Sequence, residues 1–242
     1  MKHALISDIH ANLEALQAVL KDTESRKVDK IHCLGDIIGY GCDPVECLEL
    51  VTKYCDIKLM GNHEYVVLGL LNTDHLNDIA SASMQWTQAH LSDRELSILA
   101  DLAMDAEVEN AYLVHASPYQ PDQWHYIVGI AQAKEAFGSF DQRLGFVGHS
   151  HVPQIFSLYP DGEYHSKGGH DLDPDPECRY LVNIGSVGQP RDSDVRSCYV
   201  TYDTTLQEIR YHRVDYDIEF TQAKMTDANV HPLLVERLGV GR

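Results

Sequence analysis

Five short polar motifs, each placed directly after an apolar run, hold most of the chemistry this chain can offer. They are Asp8-Ile9-His10, Gly35-Asp36, Gly61-Asn62-His63, Val114-His115 and Gly148-His149-Ser150-His151. Together they supply two aspartates, an asparagine and four or five histidines, enough oxygen and imidazole donors for two divalent metal ions without a thiolate. Such mixed donor sets suit Mn, Fe, Zn or Co better than Mg or Ca, because imidazole is a borderline ligand. Taken singly the pieces are ordinary: His-x-His arises by chance in a chain with 14 histidines, and Gly-Asp or Gly-Asn pairs are common turns. All five in order, each at the end of an apolar run, point instead to one bimetal centre.

The runs that precede them are Ala4-Leu5-Ile6, Ile31 to Leu34, Ile57 to Met60, Tyr112-Leu113-Val114 and Leu144 to Val147. Apolar stretches of this length bounded by Gly and Asp read as strands buried in a sheet. Every motif then lies at the carboxyl end of a strand, where open α/β sheets place their sites. Between them, Leu13, Leu16, Val19 and Leu20 share one face of a helix expected from Asn12 to about Thr23. Asp43-Pro44-Val45-Glu46 reads as a capping box with Pro at the first helical position, starting a helix to about Lys53. Residues 64–102 show helical patterns only, with a second box at Ser92-Asp93-Arg94-Glu95. Strand returns at 104–115 and a helix is expected near 129–138. From Pro153 to about Val214 short alternating runs predominate, with Asp161-Gly162 as a hairpin cue. Residues 218–242 read as a terminal helix plus tail without chemistry. The predicted fold is two mixed β-sheets packed face to face and flanked by helices.

Composition sets the frame. With 242 residues, 44% of them hydrophobic, the chain can bury one substantial core, and no linker or repeat divides it. We therefore expect a single domain over 1–242. The N-terminus lacks the long apolar region of a signal peptide, and no run approaches the ~18 residues of a membrane span. The six cysteines (Cys33, Cys42, Cys47, Cys55, Cys178, Cys198) form no C-x-x-C and are expected as reduced thiols in a cytoplasmic protein. A net charge of −18 argues against nucleic acid as the partner.

The motif set resembles that of the calcineurin-like metallophosphoesterases: D-x-H, G-D, G-N-H-[DE], H and G-H-x-H, over about residues 1–200. Gly185-Ser186-Val187-Gly188-Gln189-Pro190-Arg191-Asp192 is similar to a segment of their small bacterial and archaeal members, which are similar to phosphodiesterases and dinucleoside polyphosphate hydrolases. The resemblance implies one metal on Asp8, His10, Asp36 and His151, and another on Asp36, Asn62, His115 and His149, with Asp36 as the bridge. It also implies a phosphate-ester or nucleotide-like small-molecule substrate, hydrolysed by a hydroxide held between two metals ~3.5–4 Å apart. His63, beside ligand Asn62, is the candidate general acid for the leaving oxygen.

Departures narrow the reading. Protein phosphatases of this superfamily extend the second motif to G-D-x-x-D-R-G, whereas this chain has Gly35-Asp36-Ile37-Ile38-Gly39-Tyr40-Gly41 and so lacks both the Asp and the Arg. Ala11 stands where relatives frequently have Gly. If another cation grips the substrate, Arg191 is the candidate, its alternative being a surface Arg in a loop. In the loop 116–128, Tyr119, Trp124 and Tyr126 could stack on a nucleobase or aryl group, or pack onto the scaffold. The classes open at this point are a phosphodiesterase or pyrophosphohydrolase, a phosphomonoesterase, and a metal-stabilised scaffold. The helical insertion at 64–102 is a candidate docking surface for a homo-oligomer.

Overall fold

Strands whose residues are apolar on both faces need cover on both sides, and the chain supplies it with two sheets and outer helices. The computed structural model describes residues 1–71 and 78–242. The first sheet is built from β1 (Lys2–Ile6), β2 (Lys30–Cys33), β3 (Ile57–Lys58), β10 (Ser197–Asp203) and β11 (Glu208–Val214), in the order β11-β10-β1-β2-β3. The second contains β4 (Asp105–Val108), β5 (Ala111–Val114), β6 (Leu144–Val147), β7 (Gln154–Leu158), β8 (Tyr164–Gly168) and β9 (Arg179–Asn183), in the order β4-β5-β6-β9-β7-β8. β1, β2 and β3 run parallel, as do β5, β6 and β9; the first sheet adds an antiparallel pair on one flank only, and the second has antiparallel strands on both.

Alternation along the strands sets the layers. Leu5, Leu34, Phe146, Val182 and Val200 meet between the sheets. Their neighbours Ala4, Ile6 and Cys33 face outward onto α1 (Leu13–Ser25) and α2 (Pro44–Tyr54). On the far side, Val147 and Leu181 pack with Phe137 of α6 (Ile130–Phe137). Asn12 caps α1 by accepting from the Ala15 N–H, and the Ser92 box forms at the start of α5 (Asp93–Ala100). The box expected at Asp43 does not form. Its carboxylate goes to Lys224 Nζ at 2.6 Å, and the same ammonium takes Glu14 at 2.6 Å.

Of the helical stretch 64–102, the structure has α3 (Asn62–Val67), α4 (Asp78–Ala89) and α5; residues 72–77, His75 among them, lie outside the described residues. The C-terminal segment differs from the expected helix and tail. It forms α7 (Ile218–Asp227), α8 (Pro232–Glu236) and a 3-10 turn at Arg237–Gly239. Met225, Leu234 and Leu238 bury themselves against Tyr40, which brings this segment beside the motif edge of the first sheet. All six cysteines are free, five of them buried. Among the described residues no helix is long and apolar enough to cross a membrane.

Candidate metal centre

The parallel strands of both sheets end at one edge, and the five motifs meet there. Asp8 and His10 follow β1, Asp36 follows β2, and Asn62 opens α3 just after β3. His115 follows β5, and His149 and His151 follow β6. Asp8 (φ 54°), His10 (φ 50°), Asp36 (φ 50°), His149 (φ 65°) and His151 (φ 60°) all adopt left-handed backbone conformations. L-residues rarely do so, and such strain gathers at functional sites. Ala11 shares it (φ 51°), which gives the reason why Gly would be at ease there.

Backbone ties fix the loops to one another. His10 N–H donates to Asp36 O at 3.0 Å and Gly148 N–H to His115 O at 2.8 Å. The segment after β9 reaches across to the other sheet, with Val187 N–H on Ser7 O and Gly188 N–H on Asp8 O. A Cβ on Gly188 would lie 1.7 Å from Ile9 O, so this approach requires glycine.

Two groups of buried donors result: Asp8, His10, Asp36 and His151, and Asp36, His115 and His149, each with its ligand atoms within 4.8 Å of one another. Asp36 belongs to both. Its Oδ1 accepts the His63 N–H at 3.0 Å, so Oδ2 is the shared oxygen, 3.6 Å from His10 Nε2 and 3.4 Å from His115 Nε2.

The donors fit cations and little else. His10, His115 and His151 each donate an Nδ1–H to a main-chain carbonyl, on Ile38, Leu34 and Gln189. A carbonyl cannot donate, so in the neutral rings Nε2 carries the lone pair, the orientation metal-ligating imidazoles use. His10 Nε2 and His151 Nε2 then face each other at 3.0 Å, acceptor against acceptor. His115 Nε2, His149 Nε2 and Asn62 Oδ1 are buried with no hydrogen-bond partner. Buried acceptors converging without a donor call for positive charge.

Titration follows the same logic. Burial opposes ionisation of Asp36, yet His115, His63 and His10 hold its carboxyl well below the usual range. Burial also acts against charge on His115, but Asp36, Asp8 and Glu64 outweigh it and raise that ring to about 9. His149 lies farther from countercharge, and burial with the nearby His115 takes it down to about 3. Burial brings His63 to about 4, against the pull of Asp36.

The other residues singled out from sequence are placed differently from one another. His63 is buried beside the clusters, Nε2 3.9 Å from Asp36 Oδ2, with its Nδ1 against Gly39. Tyr126 is half exposed and stacks on His149 at 4.0 Å. Trp124 is buried edge-on to Tyr65 at 5.3 Å, and Tyr119 stacks on His125 at 5.8 Å. Arg191 lies 6.0 Å from the Tyr40 ring, and its Nη2 donates to Gln189 Oε1 at 2.8 Å.

Sequence reasoning gave no role to two residues that build this site. Glu64 is fully buried and its oxygens accept from the N–H groups of Asp36, Ile37, Ile38 and Gly61 at 2.8–3.1 Å. It joins the two loops that carry Asp36 and Asn62, and its place as the fourth residue of Gly61-Asn62-His63-Glu64 was the available signal. Tyr40 packs its ring on His10 at 4.7 Å and on His63 at 4.4 Å, which no spacing rule announces.

Known proteins are similar to this chain over its whole length. The chain is 39% identical over 243 residues to an uncharacterized protein of Methanocaldococcus jannaschii, covering 99% of this chain and 98% of that one. It superposes on a metallophosphoesterase from Sphaerobacter thermophilus with a TM-score of 0.87 and 40% identity, over 100% and 99% of the two chains. A hypothetical protein from Pyrococcus horikoshii OT3 shares the fold at 17% identity and a TM-score of 0.79, over 100% and 98%. Residues 1–206 match the calcineurin-like phosphoesterase superfamily domain, and the chain belongs to that superfamily of metal-binding hydrolases.

Proposed function

We propose that this chain is a dinuclear metal-dependent phosphohydrolase that cleaves phosphodiester or phosphoanhydride bonds. One observation carries the reading: two clusters of buried, donor-starved ligand atoms share the single carboxylate of Asp36. Asp8, His10, Asp36 and His151 would hold one divalent cation, and Asp36, Asn62, His115 and His149 would hold the other. When bound, the cations supply Lewis acidity, lowering the pKa of water and offsetting charge on phosphoryl oxygens.

The chain's own residues do the rest. Asp36 Oδ1 stays anchored on the His63 N–H, which keeps Oδ2 aimed at both clusters. His63 is neutral at rest, and its Nε2 edge faces the centre. Negative charge growing on a departing oxygen would act on it as Asp36 does, favouring uptake of a proton from solvent, which Nε2 would pass to that oxygen. Tyr126, stacked on His149, and Arg191, over Tyr40, would hold the substrate, the first by its ring and the second by charge. Tyr40 occupies the position of the arginine used by protein phosphatases, which disfavours phosphoproteins as substrates. Free, mostly buried cysteines suit a reducing cytoplasm.

A hydrolysis panel tests this. Metal-loaded protein should cleave bis(4-nitrophenyl) phosphate with a kcat/KM well above that for a phosphoserine peptide. No turnover of any phosphate ester after reconstitution with Mn would defeat the reading, and a preference for the phosphopeptide would make it a phosphomonoesterase.

A further inference from the structure

In a chain with 37 acidic and 19 basic residues, an arginine readily finds a carboxylate. Arg26, Arg94, Arg196, Arg210 and Arg213 each do. Among the described residues Arg143, Arg179, Arg191, Arg237 and Arg242 make no ion pair with an Asp or Glu side chain, and of these Arg191 and Arg237 stand beside the metal centre. Arg191 Nε is buried with no partner at all. Arg237 donates its Nε to the terminal oxygen of Arg242, and among the described residues no partner is seen for its two Nη nitrogens.

Both arginines border Tyr40. Arg191 lies over the ring, and Arg237 lines with Tyr40, Leu233, Leu234 and Arg242 a cavity of about 350 Å³. The same ring packs on His10 and His63, so the cavity adjoins the metal centre across one side chain. Burial and the charge of Arg191 both act to lower the pKa of Arg237, so the two guanidinium groups are near enough to repel each other. Guanidinium groups present paired donors that match phosphate oxygens. On a surface of net charge −18, a polyanion would otherwise be repelled.

We propose that Arg191 and Arg237 form a second anion subsite beside the metal centre, selecting substrates that carry a further phosphate next to the scissile one. The C-terminal segment thereby sets specificity, favouring phosphoanhydrides over simple diesters. This deepens, and rests on, the phosphohydrolase reading of the centre.

Two readouts test it. The first is the ratio of kcat/KM for a dinucleoside tetraphosphate to that for bis(4-nitrophenyl) phosphate. Arg237→Ala should lower this ratio by about tenfold or more, the scale of one lost charge-assisted contact. Arg237→Lys should restore much of it. Equal losses on both substrates, or no rescue by Lys, would mean that Arg237 only packs the C-terminal turn and would overturn the subsite. The second readout is calorimetric binding of inorganic pyrophosphate against orthophosphate, both with Mn in excess. The parent should prefer pyrophosphate and Arg237→Ala should lose that preference. If the parent turns over neither ester yet shows the preference, the subsite stands and the phosphohydrolase reading falls. If it cleaves the diester but binds both anions equally, the subsite falls and the reading stands.

Discussion

Asp36 divides its work between its two oxygens, and that division predicts what its loss would do. Oδ1 positions the carboxylate through the His63 N–H, and Oδ2 is the atom common to both donor clusters. Asp36→Asn removes the shared negative charge, so metal analysis after reconstitution should show both sites weakened together. Retention of one full-strength site would show that the clusters do not share this ligand. His63 answers a different measurement. His63→Ala leaves Asn62 and Asp36 in place, so metal content should persist while turnover falls by ~10²–10⁴, the usual cost of losing a general acid. The loss should be greatest for alkoxide leaving groups and least for nitrophenolate, which is stable as an anion. A loss equal across leaving groups would assign His63 to holding phosphate.

At the scale of elements, the strand-end loops depend on Glu64 more than on any ligand. Its four accepted N–H groups replace the pairing that the Asp36 and Gly61 loops cannot make with each other. Glu64→Gln puts an amide NH₂ where two of those donors point. We expect metal affinity to fall ~10–100-fold, as when groups that orient ligands are altered. Circular dichroism should meanwhile keep its strand and helix signal. Unchanged metal binding would reduce Glu64 to a buried core residue. The strands and the gathering of the motif residues at their ends were legible because a buried parallel strand leaves an apolar run and a polar motif right after it. The loop-to-loop role of Glu64 was not, since it depends on a register between β2 and β3 that only the folded sheet defines. The C-terminal segment was missed for a related reason. Leu234 and Leu238 show helical spacing, but nothing local says that Tyr40 is their partner. The Asp43 box failed because Lys224, distant in sequence, is the stronger partner for that carboxylate.

Across the whole molecule, histidines away from the centre tie stability to pH. His32 is buried in β2 with Nε2 2.9 Å from His3 Nδ1, and burial with the nearby His3 lowers it from 6.5 to about 4. The folded value lies under the unfolded one, so the unfolded chain takes up the proton first as pH falls. Stability is therefore intact above about pH 6.5 and declines toward pH 4, by at most roughly 3 kcal/mol from this group. Urea midpoints at pH 7.5 and 5 should drop less in His32→Gln than in the parent. Equal drops would clear His32 of the effect.

The strap after β9 has a consequence for how the molecule opens. Ser186 Oγ, Val187 N–H and Gly188 N–H bind Ser7 and Asp8 of the opposite sheet, while Gln189 holds His151. The two sheets are thus riveted at the edge where the ligands stand. Neither half can breathe away from the other without dismantling that edge, so the loop amides of Val187 and Gly188 should exchange with solvent only when the whole chain unfolds. An edge made of loops should then rank with the core strands, and not with the surface, in how slowly its amides exchange.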